Sequence, residues 1–176
     1  LEGEDGGDLI YGEAGDDVLI GGAGDDALDG GADSDTADYS GAGVAVAIDL
    51  ALAGQQNTGQ GLDTLISIEN LIGTSLVDTL RGDGAANRLD GGLGRDVMEG
   101  RGGDDVYVVD VANERIAEAL NEGTDTVESS VTYRLLANFE NLVLTGPLAI
   151  SGTGNELAND ITGNAEVNTL VGAGGI

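Results

Sequence analysis

The chain is 176 residues long, and 33 acidic residues against 6 basic ones give it a net charge of -27. Such self-repulsion opposes a compact state unless cations offset it, and it argues against nucleic acid as a partner, because phosphate binding needs Lys and Arg. Cys, His and Lys are all missing, which excludes disulfides, thiolate and imidazole metal sites, and most nucleophile and general-base arrangements. The donors that remain are carboxylates and backbone carbonyls, hard oxygen ligands that suit calcium. Glycine at 32 positions beside 40% hydrophobic residues fits Gly-rich turns between short aliphatic strands, with too much apolar content for a disordered acidic tail. No stretch reaches the length of a membrane span.

Residues 1–38 form a first array. From Gly3 the chain reads GEDGGDLIY, GEAGDDVLI, GGAGDDALD and GGADSDTAD. Position six is always Asp (Asp8, Asp17, Asp26, Asp35), and position eight is Ile10, Leu19, Leu28 and Ala37. Leu1 and Glu2 fit positions eight and nine of a preceding unit, so a longer parent chain is expected. Glycine accepts positive φ without steric cost, so the first six positions make a turn; the last three make a minimal strand with its middle side chain inward. Two units complete one coil of a right-handed parallel β-roll, an all-β solenoid. Roughly 1.5–3 kcal/mol per buried aliphatic side chain does not readily offset about 1–2 kcal/mol of backbone entropy per residue, so another source of stability is required.

Stacked turns supply one. Asp8 faces Asp26 across one gap and Asp17 faces Asp35 across another. Carbonyls of position two (Glu4, Glu13, Gly22, Gly31) and position four (Gly6, Gly15, Gly24, Asp33) are expected to line the same gaps. Two carboxylates and four carbonyls make an appropriate calcium cage. An EF-hand around Asp33–Asp35 is rejected, because loop position six lacks Gly and Val44 stands where Glu is needed.

Residues 39–72 leave the frame. Val44 to Leu50 reads as a strand, Gly54 to Gly61 as a polar loop, and Asn70 as an inward residue bonding the backbone at a bend. Residues 73–108 form a second array: GTSLVDTLR, GDGAANRLD, GGLGRDVME, GRGGDDVYV. Its candidate ligands are Asp78, Asp83, Asn87, Gly92, Gly94, Asp96, Arg101 (by its carbonyl), Gly103 and Asp105, with Asp78 paired to Asp96 and Asn87 to Asp105. Residues 109–153 leave the frame again, with a helical turn or a solvated loop over 112–120 and Asn141 in the role of Asn70. Both irregular segments are expected to be wider coils of one stack. Residues 154–176 form a third array with Asn159 and Asn168 at position six, and Asp or Asn is expected beyond Ile176. Asn cannot neutralise an ion, so strong sites are expected in the first array, fewer in the second and none in the third.

The units GGAGDDALD and GGLGRDVME resemble the nonapeptide of the repeats-in-toxin, or haemolysin-type, calcium-binding family. The resemblance implies a secreted, extracellular domain of a Gram-negative bacterium that folds on calcium and aids type I secretion of a larger protein, with neighbouring domains of that parent as partners. It also implies that Asp38 and Asp110 add ligands where each array closes. Two alternatives stay open. One is a polysaccharide-binding module like those of alginate epimerases, with Arg81, Arg88, Arg95 and Arg101 meeting an anionic polymer. The other is a structural spacer of an adhesin or surface-layer protein. The acids recur periodically and do not converge on one cleft, so catalysis is not expected from this chain.

Overall fold

A computed structural model describes residues 1–174; the last two residues of the third array lie outside them. The described residues form nineteen short strands and no helix, hence none long and apolar enough to cross a membrane. The chain is a parallel β-solenoid. One side is a continuous eight-stranded sheet, in spatial order Val18–Leu19, Thr36–Asp38, Asn70–Ile72, Arg88–Asp90, Val106–Val109, Thr126–Ser129, Asn141–Leu144 and Asp160–Thr162. The other side is broken into three sheets. They hold Leu9–Tyr11, Ala27–Asp29 and Leu62–Ile66 with Gln56–Asn57; then Ala47–Asp49, Thr79–Arg81, Val97–Glu99 and Arg115–Ala117; then Tyr133–Arg134, Ser151–Thr153 and Thr169–Val171.

Register follows the period. Leu9 pairs with Ala27, Val18 with Thr36, Thr79 with Val97 and Arg88 with Val106, each a parallel step of two units. Position eight therefore stacks into ladders. On the long sheet the ladder runs Leu19, Ala37, Leu71, Leu89, Tyr107, Val127, Leu142 and Ile161. All but Ile161 are fully buried. Flanking positions of each strand point outward and stay half-exposed, as strand alternation requires.

The irregular segments differ from each other. Residues 109–153 do continue the stack: Val106 pairs with Thr126 and Thr126 with Asn141, so only the coil length changes. The 112–120 stretch holds the strand Arg115–Ala117, paired with Val97–Glu99, where a helical turn or solvated loop was expected. Ile116 is the reason, an apolar residue buried in register with Met98. Residues 39–72 instead run ahead and return. Ala47–Asp49 pairs with Thr79–Arg81, and Gln56–Asn57 then turns back antiparallel onto Leu62–Asp63, which leads into the strand against Ala27–Asp29. The Val44–Leu50 strand is shorter than expected, with Val46 and Ile48 inward.

Candidate metal centre

Backbone conformation divides the repeats into two classes. In six units, positions two and four both have positive φ: Glu4 and Gly6, Glu13 and Gly15, Gly22 and Gly24, Gly31 and Asp33, Gly92 and Gly94, Arg101 and Gly103. Four of these residues are not glycine, and each left-handed residue of that kind costs about 1–3 kcal/mol. Such strain persists only where the surroundings impose it, and it clusters at functional sites. In the units beginning at Gly73 and Gly82 neither position has positive φ.

In the first class the stacked turns approach closely through their carbonyls. The Glu4 carbonyl lies against the Cα of Gly22 and the Gly6 carbonyl against that of Gly24, so tightly that a methyl group would overlap them. Glu13 meets Gly31 in the same way. The Glu4 and Glu13 carbonyls each accept one N–H from the next coil, at 3.1 and 2.9 Å, and an amide carbonyl has two lone pairs, so each keeps a second acceptor site.

The position-six carboxylates form columns. The amide of Asp8 donates to Asp26 Oδ1 at 2.9 Å, and that of Asp26 to Asp63 Oδ1 at 3.0 Å. Asp17 donates to Asp35 Oδ1 and Asp35 to Glu69 Oε2. Asp78 donates to Asp96 Oδ1 and Asp96 to Glu114 Oε2. Asn87 donates to Asp105 Oδ1, Asp105 to Asp125 Oδ1 and Asp125 to Glu140 Oε2. One carboxylate oxygen of each acceptor is thereby used, whereas Asp8, at the head of its column, takes part through its amide alone. Oδ2 is buried without any hydrogen-bond partner in Asp8, Asp26, Asp35, Asp96 and Asp105, all of them in positive-φ units. Such an orphaned anionic oxygen is costly unless a cation meets it. The donor set of carboxylate and carbonyl oxygens fits calcium, which takes six to eight such ligands.

In the second class the same atoms are consumed locally. Asp78 Oδ2 accepts from the Thr74 amide at 2.6 Å and from Thr74 Oγ1 at 2.9 Å, and the Leu76 amide donates to Thr74 Oγ1. Asn87 Oδ1 accepts from the Asp83 amide, Asp83 Oδ1 from the Ala85 amide, and Asn87 Nδ2 donates to the Glu69 carbonyl. Asn155 and Asn159 repeat this pattern in the third array. Asp78, Asp83 and Asn87 are thus tied into hydrogen bonds of their own turns.

Of the two proposed closing residues, Asp38 accepts from the Ser40 amide, whereas Asp110 has an orphaned buried Oδ1 beside Glu114. The arginines do not converge on one face. Arg81 pairs with Glu99 on one side of the solenoid, Arg88 with Glu128 on the other, Arg101 with Asp49, and Arg95 donates to the Asn113 carbonyl. Asn70 and Asn141 lie in strands, and Asn70 Nδ2 donates to Ser34 Oγ and the Asp35 carbonyl.

Sequence reasoning missed Asp63 and Asp125, which occupy position six of the columns from within the irregular segments. A signal existed: Thr58–Ile66 is a repeat unit with Thr in place of the first Gly, and Gly59 at its second position has φ 100°. Glu69, Glu114 and Glu140 were missed because a longer side chain does the work of Asp from a displaced backbone.

Burial raises the affinity of these acids for protons. It pushes Asp96 up to about 6, with the charges of Asp78, Asp110 and Asp90 adding to the effect, and Glu114 up to about 7, with those of Asp96 and Asp110 adding to it. Desolvation likewise takes Asp105 to about 6 and raises Asp26 and Asp110. A carboxyl raised in the folded state binds more protons there than in the unfolded chain, so calcium-free stability is highest at low pH and falls as pH rises from about 4 through 6–7. In chelator, circular dichroism is expected to show more β-structure at pH 5 than at pH 8. The opposite order would mean that these acids are not buried in the calcium-free fold.

Residues 2–37 and 72–107 match a family described as the RTX calcium-binding nonapeptide repeat (4 copies). The chain is 38% identical over 100 residues to the endo-1,3-1,4-beta-glycanase ExsH of Rhizobium meliloti, which covers 57% of this chain and 20% of that protein. It is 41% identical over 66 residues to the endo-1,3-1,4-beta-glycanase EglC of the same organism, covering 38% of this chain and 14% of that protein. The chain thus matches a fifth or less of the length of either relative.

Proposed function

Because the chain belongs to the RTX calcium-binding nonapeptide repeat family, we propose that it is a single extracellular β-roll domain that folds when calcium is supplied and so supports type I export and folding of a larger secreted protein. The observation that carries this reading is the set of orphaned position-six oxygens in turns held at positive φ. Calcium would be held by Asp8 with Asp26, by Asp17 with Asp35, and by Asp96 with the coil that follows it, together with carbonyls of positions two and four. The bound ion supplies the positive charge that turns mutual repulsion between stacked acids into attraction. At cytosolic calcium, well below the roughly 10⁻⁴–10⁻³ M affinity of extracellular modules, a chain of charge -27 stays expanded, and an expanded chain passes an export channel.

Two glycanases share this segment as a minor part of their length. That supports an accessory role for this chain beside an enzyme. Circular dichroism decides the central point. Millimolar calcium is expected to convert a largely disordered spectrum into a β-rich one, reversibly with chelator; a β-rich spectrum indifferent to chelator overturns the reading.

A further inference from the structure

Asp105 and Asp125 belong to one column, but a third carboxylate reaches them from outside any repeat. Oxygens of Asp105, Glu118 and Asp125 all lie within 4.8 Å of one another. Asp105 is 1% exposed; its Oδ1 is taken by the Asn87 amide, and its Oδ2 has no partner. Asp125 is equally buried. Glu118 is held at both ends. The Tyr107 hydroxyl donates to its Oε1, while Asn138 Nδ2 donates to its carbonyl at 2.9 Å, and its Oε2 is orphaned. Tyr107 is itself fixed, buried and packed edge-on against Phe139 at 5.3 Å. The charges acting on the trio are further carboxylates, Asp83, Asp104, Glu122 and Glu140. Three convergent acids with two orphaned oxygens must either take up protons or gather around a cation.

We propose that Asp105, Glu118 and Asp125 form a separate, carboxylate-rich calcium site where the second array meets the following wide coil, binding more tightly than the gaps within the arrays. It rests on the calcium-binding reading above and adds Glu118 as a ligand and Tyr107 as its positioning residue. Ligand charge count tunes calcium affinity, and a third carboxylate sets this site apart from gaps that have two acids and carbonyls.

The test is calorimetric titration of the 176-residue chain with calcium, comparing Glu118→Gln, Asp26→Asn and, as a control on an exposed acid, Glu166→Gln. Glu118→Gln is expected to remove the tightest class of site, by one ion per chain or at least tenfold in Kd, with an unchanged spectrum in saturating calcium. Asp26→Asn should weaken a different, looser class, and Glu166→Gln should change nothing. Terbium gives a second readout. Emission excited through tyrosine should fall at least twofold in Glu118→Gln and in Tyr107→Phe, while Tyr107→Phe keeps the calcium count. If Asp26→Asn alters binding and Glu118→Gln does not, the extra site is overturned and the calcium-binding reading stands. If the parent chain binds no calcium, both fall.

Discussion

As calcium is lowered towards its Kd, amide hydrogen exchange will open this chain unevenly, with the first array and residues 91–105 losing protection well before the turns at 73–87 and 154–159. The contrast comes from where each turn finds its counter-charge. The Asp17 and Asp26 amides donate to carboxylates of the next coil, Asp35 and Asp63, and the Asp26 and Asp35 columns carry orphaned buried oxygens. Calcium at ten times its Kd contributes about 1.4 kcal/mol per site, about tenfold in the opening equilibrium. A turn between two sites therefore stands to lose up to about a hundredfold. The Thr74, Asp83 and Asn155 amides instead donate to the position-six side chain of their own turn, at 2.6, 2.8 and 2.8 Å. Those bonds need no ion, and their protection should change less than about threefold. Uniform loss across all turns, measured peptide by peptide, would show that the two conformational classes do not correspond to two modes of stabilisation.

Gly24→Ala will destabilise the calcium-loaded roll far more than Gly6→Ala, although both glycines hold position four at similar φ, 140° and 132°. Backbone strain is common to the two variants and costs about 1–2 kcal/mol. Packing separates them. A methyl at Gly24 overlaps the carbonyl of Gly6 in the coil beneath, whereas nothing lies within 4 Å of one at Gly6. Forcing coils apart adds a penalty of about 1–3 kcal/mol and spoils the oxygen spacing as well. The expected totals are about 2–5 kcal/mol for Gly24→Ala and about 1–2 for Gly6→Ala, read from denaturant midpoints in saturating calcium. Equal losses would mean that the coils are not stacked as closely as the Gly6 carbonyl indicates.

Much of this was legible because period and chemistry reinforce each other. The recurrence of Ile10, Leu19 and Leu28 at one position gives the inward ladder, and Asp8 with Asp26 gives the facing acids, before any coordinates. The detour of residues 39–66 was not legible, because its strands are set by distant partners: Ala47–Asp49 pairs with Thr79–Arg81, far along the chain. Asp63 hides behind Thr58 in place of Gly, and its Oδ2 is closed off by the hydroxyls of Thr58 and Tyr39, from different parts of the segment. The difference between Asp78 and Asp96 was half-legible. Ser75 and Leu76 mark a turn poor in glycine, but only the geometry shows that Thr74 takes over as hydrogen-bond donor to Asp78.

The amide-to-carboxylate struts at position six all run in one sense, from each coil to the one after it, as in Asp8 to Asp26 to Asp63 and Asp78 to Asp96 to Glu114. Shortening the solenoid is therefore not symmetric. Cutting away a successor strips the acceptor from a sheltered N–H, a loss of about 1–3 kcal/mol. Cutting away a predecessor merely bares a carboxylate that water hydrates without difficulty. A trimmed or rebuilt roll should accordingly tolerate erosion from its amino-terminal side better than from its carboxy-terminal side, and each added coil completes the one already laid down.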